Sequence, residues 1–254
     1  MSEITVSAIT KELKEIRDLY GFDAFIAKYA ADNRDSVVKL VCKASKQKEA
    51  LMAEFARTEE MKKYEKQYSD YEFICGIDEV GRGPLAGPVY AAAVILPKDC
   101  DILYLNDSKK LTAAKREELY DIILKKAVSV GIGFRSPERI DEINILQATY
   151  ESMRDAVSKL NPQPTLLLND AVTIPGLNFK QVPIIKGDAK SISIAAASIV
   201  AKVTRDRLMD EYDKKYPEYG FASNKGYGSA AHIEAIKKYG PCEIHRRTFI
   251  KNFL

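Results

Sequence analysis

The rhythm of apolar positions changes once along this chain, near residue 70. Before that point apolar side chains recur at helical spacing among Lys, Glu, Asp and Ala. They predict helices near residues 9–20, 22–32 and from 36 to about 69, the last with a partial apolar stripe of Leu40, Leu51, Met52, Phe55 and Met61. This stretch holds one glycine, Gly21, and no proline. Residues 1–70 therefore read as a small helical N-terminal extension, with a boundary at Ser69-Asp70-Tyr71.

After Tyr71 the pattern becomes short apolar runs punctuated by Gly and Pro. Residues 73–77 and 89–96 predict two strands around a glycine-rich turn, and 128–134 a third. A helix is expected at 112–127, with Thr112 as N-cap and Lys125-Lys126 in its last turn. Another is expected at 136–160, opened by Ser136 and Pro137, with Ile140, Ile143, Leu146, Tyr150, Met153 and Val157 on one face. Buried strands follow at 166–168 and 182–185, then helices at 192–216 and 230–239, the last stopped by Gly240-Pro241. Three strands in succession, followed by strands alternating with helices, predict an α/β fold with a mixed sheet flanked by helices over residues 71–254.

Composition narrows the class. An apolar fraction of 46% supplies a full core, which excludes a disordered or disulfide-stapled chain. The four cysteines include no Cys-x-x-Cys pair and only two histidines accompany them, so reduced structural thiols are expected in place of a zinc site. The longest apolar run, 192–203, is broken by Ser198 and Lys202 and falls short of the roughly 20 residues that span a bilayer. The first residues lack a basic segment followed by an apolar run, so no secretory signal and a cytoplasmic location are expected. Net charge is 0 over residues 1–70, −2 over 71–189 and +5 over 190–254. An acidic middle beside a basic end suits a metal centre next to a polyanion surface.

The chemistry begins with acids at strand ends. Asp78 follows the first strand, Asp170 the fourth and Asp188 the fifth. Ligand sites in open α/β sheets form beyond the carboxyl ends of strands. Each acid alone also reads as a turn or cap residue; the threefold recurrence favours a cluster. With Glu79 beside Asp78, such a cluster is tolerable only around cations, and hard oxygen ligands suit Mg2+ or Mn2+. Neighbours on a strand point to opposite faces, so Asp78 and Glu79 converge only if the strand breaks there, and Gly81-Arg82-Gly83-Pro84 offers the break. That turn is no dinucleotide or P-loop signature, because its spacing differs and a strand follows it instead of a helix. Its glycines bring bare backbone to a ligand while Arg82 offers charge.

These residues carry a resemblance. The run Ile77-Asp78-Glu79-Val80-Gly81-Arg82-Gly83-Pro84-Leu85-Ala86-Gly87-Pro88-Val89 is similar to the opening motif of the type 2 ribonucleases H, and specifically of the bacterial ribonuclease HII kind. The similarity continues through Asn106-Asp107-Ser108-Lys109-Lys110-Leu111 and Lys186-Gly187-Asp188-Ala189-Lys190-Ser191. It runs on along residues 194–206 and closes with Gly226-Tyr227-Gly228 and His245-Arg246-Arg247-Thr248-Phe249. It implies a ribonuclease H-like fold and a four-acid catalytic and metal site of Asp78, Glu79, Asp170 and Asp188. It further implies two divalent cations bridging a scissile phosphate, one activating water and one stabilising the leaving 3′ oxygen. Cleavage would fall 5′ to a ribonucleotide, in RNA–DNA hybrids or in duplex DNA, by a monomer.

The same resemblance assigns the 2′-hydroxyl to the Gly81-Arg82-Gly83 backbone and the adjoining deoxyribose to Tyr227, with Lys109, Lys190 and Ser191 at backbone phosphates. Lys215, Lys225, Lys237, Arg246 and Lys251 extend this track in the same reading. Ser191 and Ser193 also suit an N-cap, whose helix would lend positive potential near Asp188. His232 and His245 read as structural or phosphate-facing, since no covalent nucleophile is needed. One departure stands at Asp170, where Ala171 follows and the family often has glycine. Two alternatives stand beside this reading: a ribonuclease HIII-type hybrid nuclease, or a non-catalytic nucleic-acid-binding protein. Asp188, where the HIII type has glutamate, and Gly226-Tyr227-Gly228 argue against the first. The presence of all four acids argues against the second. The N-terminal extension reads either as an aid to substrate or partner binding or as a cap on the fold.

Overall fold

The structure, a computed structural model, describes residues 4–253. The chain divides between Glu60 and Met61 into two compact units. The first contains α1 (Val6–Glu15), α2 (Leu19–Tyr29) and nearly all of α3 (Asp35–Met61). Thr5 and Asp18 accept from the Ala8 and Gly21 amides and so cap the first two helices. Ile9, Leu13, Phe22, Phe25, Tyr29, Val37 and Ala44 form its core. Of the apolar stripe expected on α3, Leu40 and Leu51 pack on this core, Met52 and Phe55 are exposed, and Met61 is buried in a core of the second unit. Two helices of 10 and 11 residues are too short to cover one of 27.

The second unit opens with α4 (Lys63–Gln67), then β1 (Ile74–Val80), β2 (Val89–Ile95), α5 (Ala113–Lys126), β3 (Ser129–Arg135) and α6 (Pro137–Ser158). It continues with β4 (Leu166–Asp170), β5 (Lys180–Ile184), α7 (Ile192–Lys215), α8 (Phe221–Asn224), α9 (Ala230–Tyr239) and α10 (Arg247–Ile250). The sheet order is β3-β2-β1-β4-β5. The glycine-rich turn joins β1 to β2, and a longer connection through α5 brings β3 back beside β2, both pairs antiparallel. The α6 crossover instead delivers β4 parallel to β1, and β5 joins β4 in parallel. The result is the mixed sheet flanked by helices that the sequence predicts.

Each sheet face carries its own core. Cys75, Ile77, Ala91, Ala93 and Ile95 pack with Met153, Ala156 and Val157 of α6. Ala92 and Val94 pack on the opposite side with Ala195, Ala196, Ile199 and Val200 of α7. Alternation along β1 and β2 produces this division. The approach of α7 is close enough that a Cβ on Gly76 would lie 2.1 Å from the Ser193 carbonyl carbon.

Three elements depart from their expected form. Helix α6 is interrupted at Asn144, whose φ is +67°. The Asn144 Oδ1 accepts from the Leu146 and Gln147 amides and restarts the helix, which turns Leu146 out to 41% exposure. Strand β1 runs on through Asp78 and Glu79 to Val80. Strand β5 ends at Ile184 and leaves Ile185 exposed. Among the described residues no helix is long and apolar enough to cross a membrane.

Candidate active site

Asp78 and Glu79 both sit in the β1–β2 ladder, opposite Ala92 and Ala91. The expected strand break between them is absent; it falls after Val80, at Gly81 with φ +86°. Asp78 therefore faces α7 with Gly76, and Glu79 faces the other side with Cys75 and Ile77. What lets both acids share one site is the length of β4. Its pairing with β1 stops at Ile77↔Asn169, so Asp78 stands level with Asp170, the last residue of β4, and Glu79 lies one position beyond it.

Electrostatic coupling records that convergence. Burial pushes the Asp78 carboxyl well above the usual range, and the charges of Glu79 and Asp170 push it further, while a Ser198 hydroxyl partly offsets them. Burial likewise raises Glu79, against the pull of Arg82 and with Asp170 adding to it. Arg82 Nη1 lies 3.2 Å from Glu79 Oε1, while the buried Oε2 has no hydrogen-bond partner. Asp188, on the short turn Gly187–Ala189, is raised to about 6 by burial and by Asp107 and Asp170, with Lys109 opposing. Asp170 Oδ1 accepts from the Gly187 amide at 2.7 Å and ties the β4 end to the Asp188 turn. Ala171, where the family often has glycine, adopts φ +56°.

These carboxylates fit hard divalent cations. They are oxygen donors, Asp78, Glu79 and Asp188 hold protons against their ordinary tendency, and one buried oxygen of Glu79 is orphaned. Among the described residues no three acidic, His or Cys side chains come together closely enough to hold a metal ion by themselves. Cations here would share their coordination with phosphate oxygens and water, as Mg2+ usually does.

The glycine-rich turn is built by two buried arginines. Arg205 of α7 donates to the Pro88, Lys225 and Ala86 carbonyls. Arg246 donates from Nε to Gly87 O at 2.9 Å, from Nη1 to Arg82 O at 2.8 Å and from Nη2 to Gly81 O at 2.5 Å. Gly81 is required here, because a Cβ would lie 2.3 Å from Arg205 Nε. Arg82 and Gly83 remain exposed, and a Cβ on Gly83 would stand 3.8 Å from Tyr227 Cε1. Tyr227 is 43% exposed, as its glycine neighbours suggest, and the Gly226 carbonyl accepts from Leu85 N, joining the two loops.

The remaining expected contacts divide. Lys109 is exposed; burial lowers its pKa but the charges of Asp107, Asp78 and Asp188 outweigh that and raise it. Lys190 is exposed next to the Asp188 turn. Ser191 is fully buried, its hydroxyl donating to Glu65 Oε1 at 2.6 Å and accepting from Ile194 N. The Ser193 amide also donates to Glu65, so the start of α7 satisfies an internal carboxylate. Arg246 is not part of a surface track, being fully buried. Lys215, Lys225 and Lys237 pair with Glu243, Asp210 and Glu234.

Sequence reasoning missed Asp107, Glu65, Ser198, Arg205 and the structural role of Arg246. Arg205 had a signal: it lies four residues from Ala201 and from Met209, both buried on α7.

A mixed sheet whose strand ends gather four acids beside an exposed glycine-rich loop defines a nuclease of the ribonuclease H class. The ribonuclease HII family profile matches residues 75–252, and that of the ribonuclease HII N-terminal domain matches residues 5–69. A ribonuclease HII of Lachnoclostridium phytofermentans is 65% identical over 249 residues, 98% of each chain. The crystal structure of ribonuclease H2 from Pyrococcus horikoshii superposes with TM-score 0.61 at 30% identity, covering 71% of this chain and 96% of that one. Bst-RNase HIII in complex with Mn2+ shares the fold, with TM-score 0.52 at 16% identity, covering 65% and 61%. The chain belongs to the ribonuclease HII family and is a ribonuclease H-type endonuclease.

Proposed function

We propose that this enzyme hydrolyses the phosphodiester 5′ to a ribonucleotide, in RNA–DNA hybrids and in duplex DNA carrying single ribonucleotides, leaving 3′-hydroxyl and 5′-phosphate ends. The observation that carries the reading is the placement of Asp78 and Glu79 just past the last β1–β4 pair, next to Asp170 and Asp188. Two divalent cations, Mg2+ or Mn2+, would supply a nucleophile at neutral pH and neutralise charge on the phosphate. Asp78, Glu79, Asp170 and Asp188 would hold them, and Lys109 beside Asp78 and Asp188 would meet a backbone phosphate. Lys190 is a second phosphate contact in this reading, whereas the Ser191 hydroxyl serves Glu65.

The exposed Arg82-Gly83 edge suits recognition of a 2′-hydroxyl by backbone, since Arg246 and Arg205 fix that backbone from below. Tyr227, against Gly83, suits stacking on the next sugar. Residues 1–70 are read as an extension to the catalytic domain of 71–254, and the enzyme as a monomer.

The test is incision of a DNA duplex containing one ribonucleotide, beside an all-RNA hybrid, with Mg2+ or Mn2+. Asp188→Asn should abolish cutting of both; Tyr227→Ala should impair the single-ribonucleotide substrate more. Failure of the native enzyme to cut either duplex with either metal would sink the proposal.

A further inference from the structure

The two histidines lie outside the acid cluster yet touch each other deep in the C-terminal part of the catalytic unit. His232 is fully buried and His245 nearly so, among Tyr219 and Phe221. His232 Nε2 and His245 Nε2 are 3.0 Å apart. His245 Nδ1 lies 3.0 Å from the Cys242 amide and 3.1 Å from its Sγ. His232 Nδ1 lies 2.9 Å from the Tyr227 carbonyl oxygen.

Donor and acceptor roles follow from the two ends. The Cys242 amide can only donate, so His245 Nδ1 is unprotonated and its single proton rests on Nε2. That proton must go to His232 Nε2, which leaves the His232 proton on Nδ1, where the Tyr227 carbonyl accepts it. A neutral chain of hydrogen bonds thus runs one way, from Cys242 through both rings to Tyr227. Any other neutral assignment sets two donors or two acceptors against each other in a buried site.

We infer that His232 and His245 are positioning residues for Tyr227, fixing the carbonyl of the one loop residue that faces Gly83 across the substrate edge. The segment that carries His245 is placed for this. The next residue, Arg246, holds the Gly81 and Arg82 carbonyls, so adjacent side chains brace the two loops on either side of that edge. The consequence for selectivity rests on the proposed role of Tyr227 in reading the sugar; the relay itself does not.

Two measurements on the full-length enzyme test this. In 15N-histidine spectra at neutral pH, His232 should be the Nδ1–H tautomer and His245 the Nε2–H tautomer; His232 carrying its proton on Nε2 would overturn the relay. In kinetics, His232→Gln removes the donor facing Tyr227 and should lower kcat/KM on a single-ribonucleotide duplex, relative to an all-RNA hybrid, by roughly fivefold to tenfold. His232→Asn sets an amide N–H near the position of Nδ1 and should restore most of that ratio. Equal losses on both substrates for His232→Gln, in a background where Tyr227→Ala does shift the ratio, would reduce the pair to packing and overturn the positioning role. Should Tyr227→Ala leave the ratio unchanged, the stacking role fails instead, and exchange of the Tyr227 amide and of the Ser229 amide, which also donates to the Tyr227 carbonyl at 2.8 Å, decides the positioning. Faster exchange in His232→Gln supports it, and unchanged exchange overturns it.

Discussion

Arg246 donates from Nη1 to the carbonyl oxygen of Arg82 at 2.8 Å, so a buried arginine sets the backbone from which an exposed one projects. All three of its loop partners are neutral carbonyls, at Gly81, Arg82 and Gly87. Burial and the neighbouring Arg205 charge depress its pKa to about 9. Lysine keeps the charge but lacks the planar fork that reaches three acceptors. Arg246→Lys should destabilise the enzyme by roughly 2–4 kcal/mol in urea unfolding and lower kcat/KM on both substrates.

Gly76 has no room for a side chain because α7 begins against it. Gly76→Ala would push β1 and α7 apart, at a cost on the order of 3 kcal/mol. Because Asp78 rides on β1 and Asp188 precedes α7, activity should fall further than thermal stability explains. Residual activity corrected for the folded fraction is the measurement.

Ala171 sits at φ +56° directly after Asp170. Alanine is disfavoured there by about 1 kcal/mol relative to glycine, partly offset by glycine's larger unfolded-state entropy. Ala171→Gly should therefore leave stability equal or raise it by up to about 1 kcal/mol, with cleavage retained. A loss of stability in chemical denaturation would contradict the strain.

The raised carboxyls give the metal-free enzyme a definite pH response. Asp188 holds its proton to about 6 in the folded state, above its unfolded value. Between those values the folded state binds more protons, so this acid's contribution falls as pH rises through the window. His245 has the opposite sign. Its pKa is lowered to about 4, chiefly by burial, so its contribution is intact above the unfolded value and falls as pH drops toward 4. In EDTA, Asp188→Asn should raise Tm at pH 8 relative to native and change it less at pH 4.5. Mn2+ should raise the native Tm more at pH 8 than at pH 5, because cations and protons compete for the same oxygens.

The legible parts of this protein were those with a periodic or positional signal. Asp170 and Asp188 could be read from strand ends, and Thr112 and Ser136 from cap patterns; both caps stand as expected. Glu79 could not be read from alternation, because its access depends on where β4 stops pairing with β1, a fact of register between distant segments. Ser191 looked like a phosphate contact because the carboxylate that engages it, Glu65, lies 126 positions earlier. Arg246 looked like a surface cation for the same reason: its acceptors are carbonyls on a loop far up the chain. Arg205 has the same kind of remote carbonyl partners, but its place between buried Ala201 and Met209 on a long helix left a trace that Arg246 lacks.

The order of strands in the sheet also dictates when the enzyme becomes an enzyme. The antiparallel half, β3-β2-β1, comes from one continuous stretch and can pair as soon as that stretch is made. The parallel half and α7 come later, and the clamps on the glycine-rich loop, Arg205 and Arg246, come last of all. Contacts between remote segments form late because the loop between them must first be closed. During synthesis the antiparallel strands are thus complete before the helices that cover their two faces, α6 and α7. A chain made only as far as β3 carries Asp78 and Glu79 but lacks Asp170 and Asp188.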